Sequence, residues 1–93
     1  MKHIYKYNQG FLKAFGYKVL KYGDEMLQVS DKRFIYTAKR NEIAVKGKTT
    51  RAKEYLERNF VKIYYRFNAF LELNNLDNKK VYPQTLQALL MAI

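Results

Sequence analysis

Between Thr49 and Asn75 the apolar residues Ala52, Leu56, Phe60, Ile63, Phe67, Phe70 and Leu71 recur at steps of three and four. That period belongs to a helix with one buried face, and a strand does not satisfy it. The spacing predicts one long amphipathic helix over 50–74, so the rest of the 93-residue chain must supply whatever covers that face. Gly47 precedes two candidate N-caps, Thr49 and Thr50, whose hydroxyls can accept from the orphan N–H groups of a first turn. The residue three after Thr50 is Lys53, so no capping box completes the start. Glu54 stands four before Arg58, an orientation contributing only a few tenths of a kcal/mol. Asn74, Asn75 and Asn78 offer turn or left-handed residues to end the helix.

The same helix carries a second stripe. At about 100° per residue, Arg51, Arg58, Lys62 and Arg66 fall together roughly 120° round from the apolar face. Tyr55 and Tyr65 flank them, and the acids Glu54, Glu57 and Glu72 lie off to one side. Lysines and arginines often do no more than solvate a helix, but a solvating face usually mixes signs. This one does not.

Upstream, alternation and turn chemistry predict strands. Lys2–Tyr7 reads as a short strand, and Phe11–Phe15, between Gly10 and Gly16, as an apolar turn or single helical turn plugging one end of the core. Gly23-Asp24 is a hairpin signal that would pair Leu20 with Leu27 and Tyr22 with Glu25. A turn at Asp31-Lys32 would pair Val29 with Phe34 and Leu27 with Tyr36, and one at Arg40-Asn41 would pair Ala38 with Ile43 and Tyr36 with Val45. One face then collects Leu20, Tyr22, Leu27, Val29, Phe34 and Tyr36, continuing through Ala38, Ile43 and Val45. The other face holds Tyr17, Val19 and Ile35 among Lys21, Arg33 and Lys46, and stays open. Beyond the long helix, Pro83 and the spacing of Leu86, Leu89, Leu90 and Ile93 predict a short amphipathic helix over 83–92 that closes the core. The expectation is a single α+β domain over 1–93: a β-rich half (2–46) forming an antiparallel meander of four to five strands, packed on one long helix, with a short C-terminal helix.

Composition limits what such a domain does. The chain has no cysteine, which removes disulfides, thiolate nucleophiles and sulfur-ligated zinc and fits a reducing compartment. No apolar run approaches the eighteen or so residues that span a bilayer, and no signal-peptide pattern opens the sequence, so a cytoplasmic protein is expected. Eighteen basic against eight acidic side chains give a net charge of +10. Of this, +7 lies in residues 1–50 (eleven basic, four acidic) and +3 in residues 51–93 (seven basic, four acidic). The positive field therefore covers both halves and favours polyanionic partners. The usage of Lys, Asn, Ile, Tyr and Phe suits an AT-rich genome, such as a phage or a low-GC bacterium.

The constellations that would carry catalysis are thin. Val45-Lys46-Gly47-Lys48-Thr49 matches the end of a phosphate-binding loop, but the full pattern needs glycine where Glu42 stands. What survives is a single-phosphate site at the helix start, with Lys48 and Arg51 beside it. His3 is the sole histidine and Ser30 the sole serine, and Asp24, Glu25, Asp31 and Glu42 fall at turns at opposite ends of the sheet. Neither an enzyme, nor a metal site, nor a cofactor is expected.

Exposed tyrosines among cations stack unpaired bases while the charges hold the backbone. The leading expectation is a small nucleic-acid-binding protein, with RNA or single-stranded DNA ahead of duplex DNA. Its candidate contacts are Lys48, Arg51, Tyr55, Arg58, Lys62, Tyr65 and Arg66, joined by Lys21, Arg33 and Lys46 from the sheet. The alternative is a non-enzymatic, phage-encoded inhibitor or adaptor docking on an acidic surface of a host protein, with Val19 and Ile35 of the open face at its interface. Attachment to anionic lipid ranks last, because the apolar stripe is needed for the core. A homodimer, through the apolar tail or a sheet edge at Lys2–Tyr7, is compatible with each reading.

Overall fold

The computed structural model describes residues 3–75. A short helix, α1 (Gln9–Ala14), leads into β1 (Lys18–Gly23), β2 (Met26–Ser30), β3 (Phe34–Lys39) and β4 (Glu42–Gly47), followed by the long helix α2 (Thr50–Asn75). The strands form one antiparallel sheet in the order β1-β2-β3-β4, an uninterrupted meander. The architecture is the expected α+β arrangement of a sheet and one long helix. The short helix described is N-terminal, however, and not C-terminal; the helix anticipated over 83–92 lies outside the described residues.

Each element follows from local chemistry. Asn8 caps α1, its side chain accepting from the Phe11 N–H. The helix ends in a Schellman motif: Tyr17 N–H donates to the Leu12 carbonyl, Gly16 N–H donates to that of Lys13, and Gly16 takes the left-handed φ of 74°. Phe11, Leu12 and Phe15 are thereby buried against the core. At the start of α2, Thr49 is the cap that forms, its Oγ accepting from Ala52 N–H at 3.1 Å. Gly47 is required there for a different reason: a Cβ would stand 2.7 Å from the Lys53 backbone nitrogen and 3.0 Å from Ala52 C.

The inner face of the sheet carries Leu27, Val29, Phe34, Tyr36 and Ala38, all buried, against Ile63, Phe67, Phe70 and Leu71 of α2. Aromatic rings dominate this core. Tyr36 stacks on Phe67 with centroids 5.0 Å apart, and Tyr17 meets Phe70 edge-on at 5.0 Å.

Three expectations are corrected. The β3–β4 register is the predicted one, pairing Ala38 with Ile43 and Tyr36 with Val45. Between β2 and β3 the pairing slips by two residues, Val29 facing Tyr36, which preserves the faces. Between β1 and β2, Tyr22 pairs with Leu27 and Val19 with Val29, and an irregularity at Leu20 interrupts the ladder. That β-bulge flips the strand's earlier residues. Leu20 is therefore 45 % exposed, while Tyr17, expected on the open face, is buried and Val19 is half-buried against the core.

The second correction concerns Lys2–Tyr7: from His3 onward this segment pairs with no strand. Its backbone is held by side chains and turn groups instead. Asn75 donates to the Ile4 carbonyl and accepts from Lys6 N–H, buried Asn74 donates to the Lys6 carbonyl, and Ile4 N–H donates to the Asp24 carbonyl. The two asparagines expected to stop α2 thus belong to it and clamp the N-terminal segment. Among the described residues, His3–Tyr7 offers no sheet edge for the dimer expected there.

The third concerns α2, which is not one straight rod. Asn59 has non-helical angles (φ −130°, ψ 26°), and its side-chain amide donates to the Tyr55 carbonyl, a side chain inserted into the helical ladder. At this kink Asn59 takes the half-buried place and Phe60, expected in the core stripe, is 56 % exposed.

Candidate nucleic-acid interface

The turn between β2 and β3 is organised by one carboxylate. Asp31 Oδ1 accepts from the N–H groups of Arg33 (2.9 Å) and Phe34 (2.8 Å), an Asx-type turn, and Oδ2 accepts from the Tyr36 hydroxyl at 2.7 Å. The Asp31 carbonyl accepts from Lys48 Nζ at 2.7 Å, and Lys48 N–H donates to the Arg33 carbonyl at 2.8 Å. The turn is therefore tied both to the core and to the entry of α2. It sets Arg33 over the ring of Tyr55, guanidinium carbon 5.1 Å from the centroid.

From α2, Lys62 and Arg66 approach the same place. Arg66 Nη2 donates to the Phe15 carbonyl at 3.0 Å, and the guanidinium lies 5.7 Å from the Phe15 centroid and 5.9 Å from that of Tyr17. Its Nε is buried with no hydrogen-bond partner, and it makes no ion pair among the described residues. Aromatic faces offset part of the cost of that burial but supply no counter-charge.

These groups enclose a cavity of about 430 Å³ between the β2–β3 turn, the α1–β1 corner and the middle of α2. Its floor is aromatic, from Phe15, Phe34 and Tyr36, and Tyr55 stands in its wall. Lys32, Arg33, Lys62 and Arg66 line it against Asp31, the single acid there among the described residues, whose carboxylate already holds three donors. The deep phenols add no negative charge: burial pushes Tyr17 up to about 12 and Tyr36 higher still. The Tyr17 and Tyr36 rings lie 4.9 Å apart, and the buried Tyr17 hydroxyl has no hydrogen-bond partner among the described residues. The site is an electropositive pocket with an apolar, aromatic base.

Of the residues singled out in the sequence, Arg33, Tyr55, Lys62 and Arg66 are brought together. Arg51 continues the group, sharing with Arg33 and Tyr55 a second pocket at the start of α2. The others are not gathered. At the helix start Lys48 Nζ donates to the Asp31 carbonyl, and Gly47 serves packing. Arg58 is exposed beyond the cavity lining, Tyr65 lines a separate apolar groove with Phe60 and Val61, and Lys21 and Lys46 sit on the two edge strands. Arg33 belongs to the turn and not to the open sheet face. Lys32 was missed; the aspartate opening a turn before two cations was the available signal.

Neither protein-family models, nor curated proteins, nor solved structures give a match to this chain. Among the described residues no helix is long and apolar enough to cross a membrane.

Proposed function

We propose that this protein binds single-stranded nucleic acid, RNA or single-stranded DNA, through the face formed by the β2–β3 turn and α2. The observation that carries the reading is that Arg33 of the β2–β3 turn lies over the exposed ring of Tyr55 and shares one pocket with Lys62 and Arg66 of α2. Cations of one sign around a stacking ring suit a strand whose phosphates are held while its bases lie open. The role is non-catalytic, and a reducing compartment such as the cytoplasm fits the absence of cysteine.

A salt series with single-stranded RNA, single-stranded DNA and duplex DNA tests it. If Lys32, Arg33, Arg51, Lys62 and Arg66 each neutralise one phosphate, the log–log slope for a single strand is about −3.5, from roughly 0.7 per contact. The double reversal Arg33→Glu/Lys62→Glu is expected to lower affinity by at least about tenfold and flatten the slope by roughly 1.4. Binding that keeps its slope and strength in that variant refutes the interface.

A second reading is favoured by the groove of Phe60, Val61 and Tyr65, which are 56, 66 and 52 % exposed. On a chain of net charge +10, this groove suits a protein partner with an apolar centre and an acidic rim. It replaces Val19 as the docking residue, since the bulge turns Val19 inward. Under this reading Val61→Asp abolishes a stoichiometric protein complex that Lys62→Glu leaves in place; the converse pattern removes it.

A further inference from the structure

We infer that the cavity accepts one unpaired nucleotide of the bound strand, its base against the Arg33–Tyr55 stack and its phosphate beside Lys62 and Arg66. This rests on the single-strand reading above and specifies its ligand unit. Three observations carry it. The volume, about 430 Å³, is within the range of pockets that enclose a small ligand and exceeds what a phosphate alone would fill. The lining is divided, with aromatic surface at the base and cations in the walls, as a unit with a flat apolar part and an anionic part requires.

The third observation is Arg66. A partly buried guanidinium with a buried, unpartnered Nε and no carboxylate within ion-pairing distance among the described residues lacks a counter-charge. Asp31, the one acid at the cavity, is held by two backbone N–H groups and the Tyr36 hydroxyl. An anion entering the cavity supplies what Arg66 lacks. The planar guanidinium of Arg33, already laid over Tyr55, offers a surface on which a base stacks.

The same chemistry is present in a free nucleoside 5′-monophosphate and in a nucleotide within a strand, so the test uses both. Chemical-shift titration of the full chain compares a short single-stranded oligonucleotide, the nucleoside 5′-monophosphates, the parent nucleosides and inorganic phosphate. The expected result is that a monophosphate perturbs Arg33, Tyr55, Lys62 and Arg66 and competes with the oligonucleotide, more tightly than nucleoside or phosphate does. Tyr55→Ala is expected to weaken monophosphate and oligonucleotide roughly five- to a hundredfold while leaving phosphate unchanged, the range that one base–aromatic stack spans. Tyr55→Phe retains the ring and should retain binding, which separates stacking from loss of fold.

The inference is overturned if the oligonucleotide binds with its Arg33 and Lys62 dependence but the monophosphate leaves the cavity resonances unmoved. It is also overturned if Tyr55→Ala weakens phosphate as much as monophosphate. In either case the strand-binding reading stands. Failure of oligonucleotide and monophosphate alike to bind removes both. Binding of a monophosphate but of no oligonucleotide keeps the nucleotide pocket and removes only its place on a strand.

Discussion

Replacing Asp31 by Ala removes three hydrogen bonds at once, and the structure says how unequal they are. The Arg33 N–H is at the surface, where water substitutes, so its loss costs about 0.5 kcal/mol. Phe34 N–H and the Tyr36 hydroxyl are partly buried, and each is left without its acceptor at a cost of about 1–2 kcal/mol. The total is roughly 2.5–4.5 kcal/mol, a large part of the 5–15 kcal/mol typical of a domain. At 4–8 °C per kcal/mol for a chain of this size, Tm falls by roughly 10 °C or more. Asp31→Asn separates geometry from charge. Its carbonyl still accepts from Arg33 and Phe34, and its amide donates to the Tyr36 oxygen, so the turn persists at a cost of about 1 kcal/mol. Removing this carboxylate, the only one at the cavity among the described residues, leaves its cations less opposed, and anion affinity rises. Urea denaturation read by circular dichroism, with the nucleotide titration run on the same samples, gives both quantities. If Asp31→Ala costs less than about 0.5 kcal/mol, the carboxylate does not organise the turn. If Asp31→Asn weakens anion binding while Tm holds, the charge arrangement assigned to the cavity is wrong.

Gly47→Ala pushes a Cβ to 2.7 Å from the backbone of α2, where no side chain can yield, and is expected to cost about 1–3 kcal/mol; Gly23→Ala, whose Cβ meets nothing within 4 Å, should fall within about 0.5 kcal/mol by the same urea midpoints. Alkaline pH is expected to destabilise the fold. The folded-state value of Tyr17 is raised from 10.0 to about 12, chiefly by burial, so the unfolded chain releases its proton first. The stability is complete below pH 10 and is lost between pH 10 and 12, by about 2–3 kcal/mol from this residue, with Tyr36 shifted in the same direction. Tm measured across that range should fall less steeply in Tyr17→Phe than in the parent, and equal slopes would refute the assignment.

The sequence was most legible where one residue type decides a conformation. Gly16 ends α1, Thr49 starts α2 and Arg40-Asn41 fixes the β3–β4 register, each by local chemistry that no distant contact overrides. Alternation alone was a weaker guide. Leu20 lies on β1 and Tyr17 just before it, in a stretch that reads equally well with either set inward, and the bulge between Val19 and Lys21 goes with Tyr17 inward, its ring beside Tyr36 and Phe70. Lys2–Tyr7 alternates like a strand from one end to the other. The backbone groups of Ile4 and Lys6 instead meet Asn74 and Asn75, some seventy positions away, and nothing local announces that pairing.

The cationic stripe shows the same division at the candidate site. Helical geometry placed Lys62 and Arg66 together correctly, and it could not place Arg33, because the distance between a turn and a helix is a tertiary quantity. Once the turn is docked, the two sets have different characters. Arg51, Arg58 and Lys62 remain exposed and able to follow a backbone, whereas Arg66 is drawn in over Phe15 and Tyr17 and tied to a carbonyl. An exposed cation has water for its counter-field whether or not ligand is present; Arg66 has much less of it. Ligand should therefore register at Arg66 as a gain in fold stability of RT ln(1 + [L]/Kd), since the cavity's turn and helix walls must both be in place for the anion to be held. The stripe read from the sequence is where a strand would run, and Arg66, with the turn docked against it, is where the fold would sense that strand.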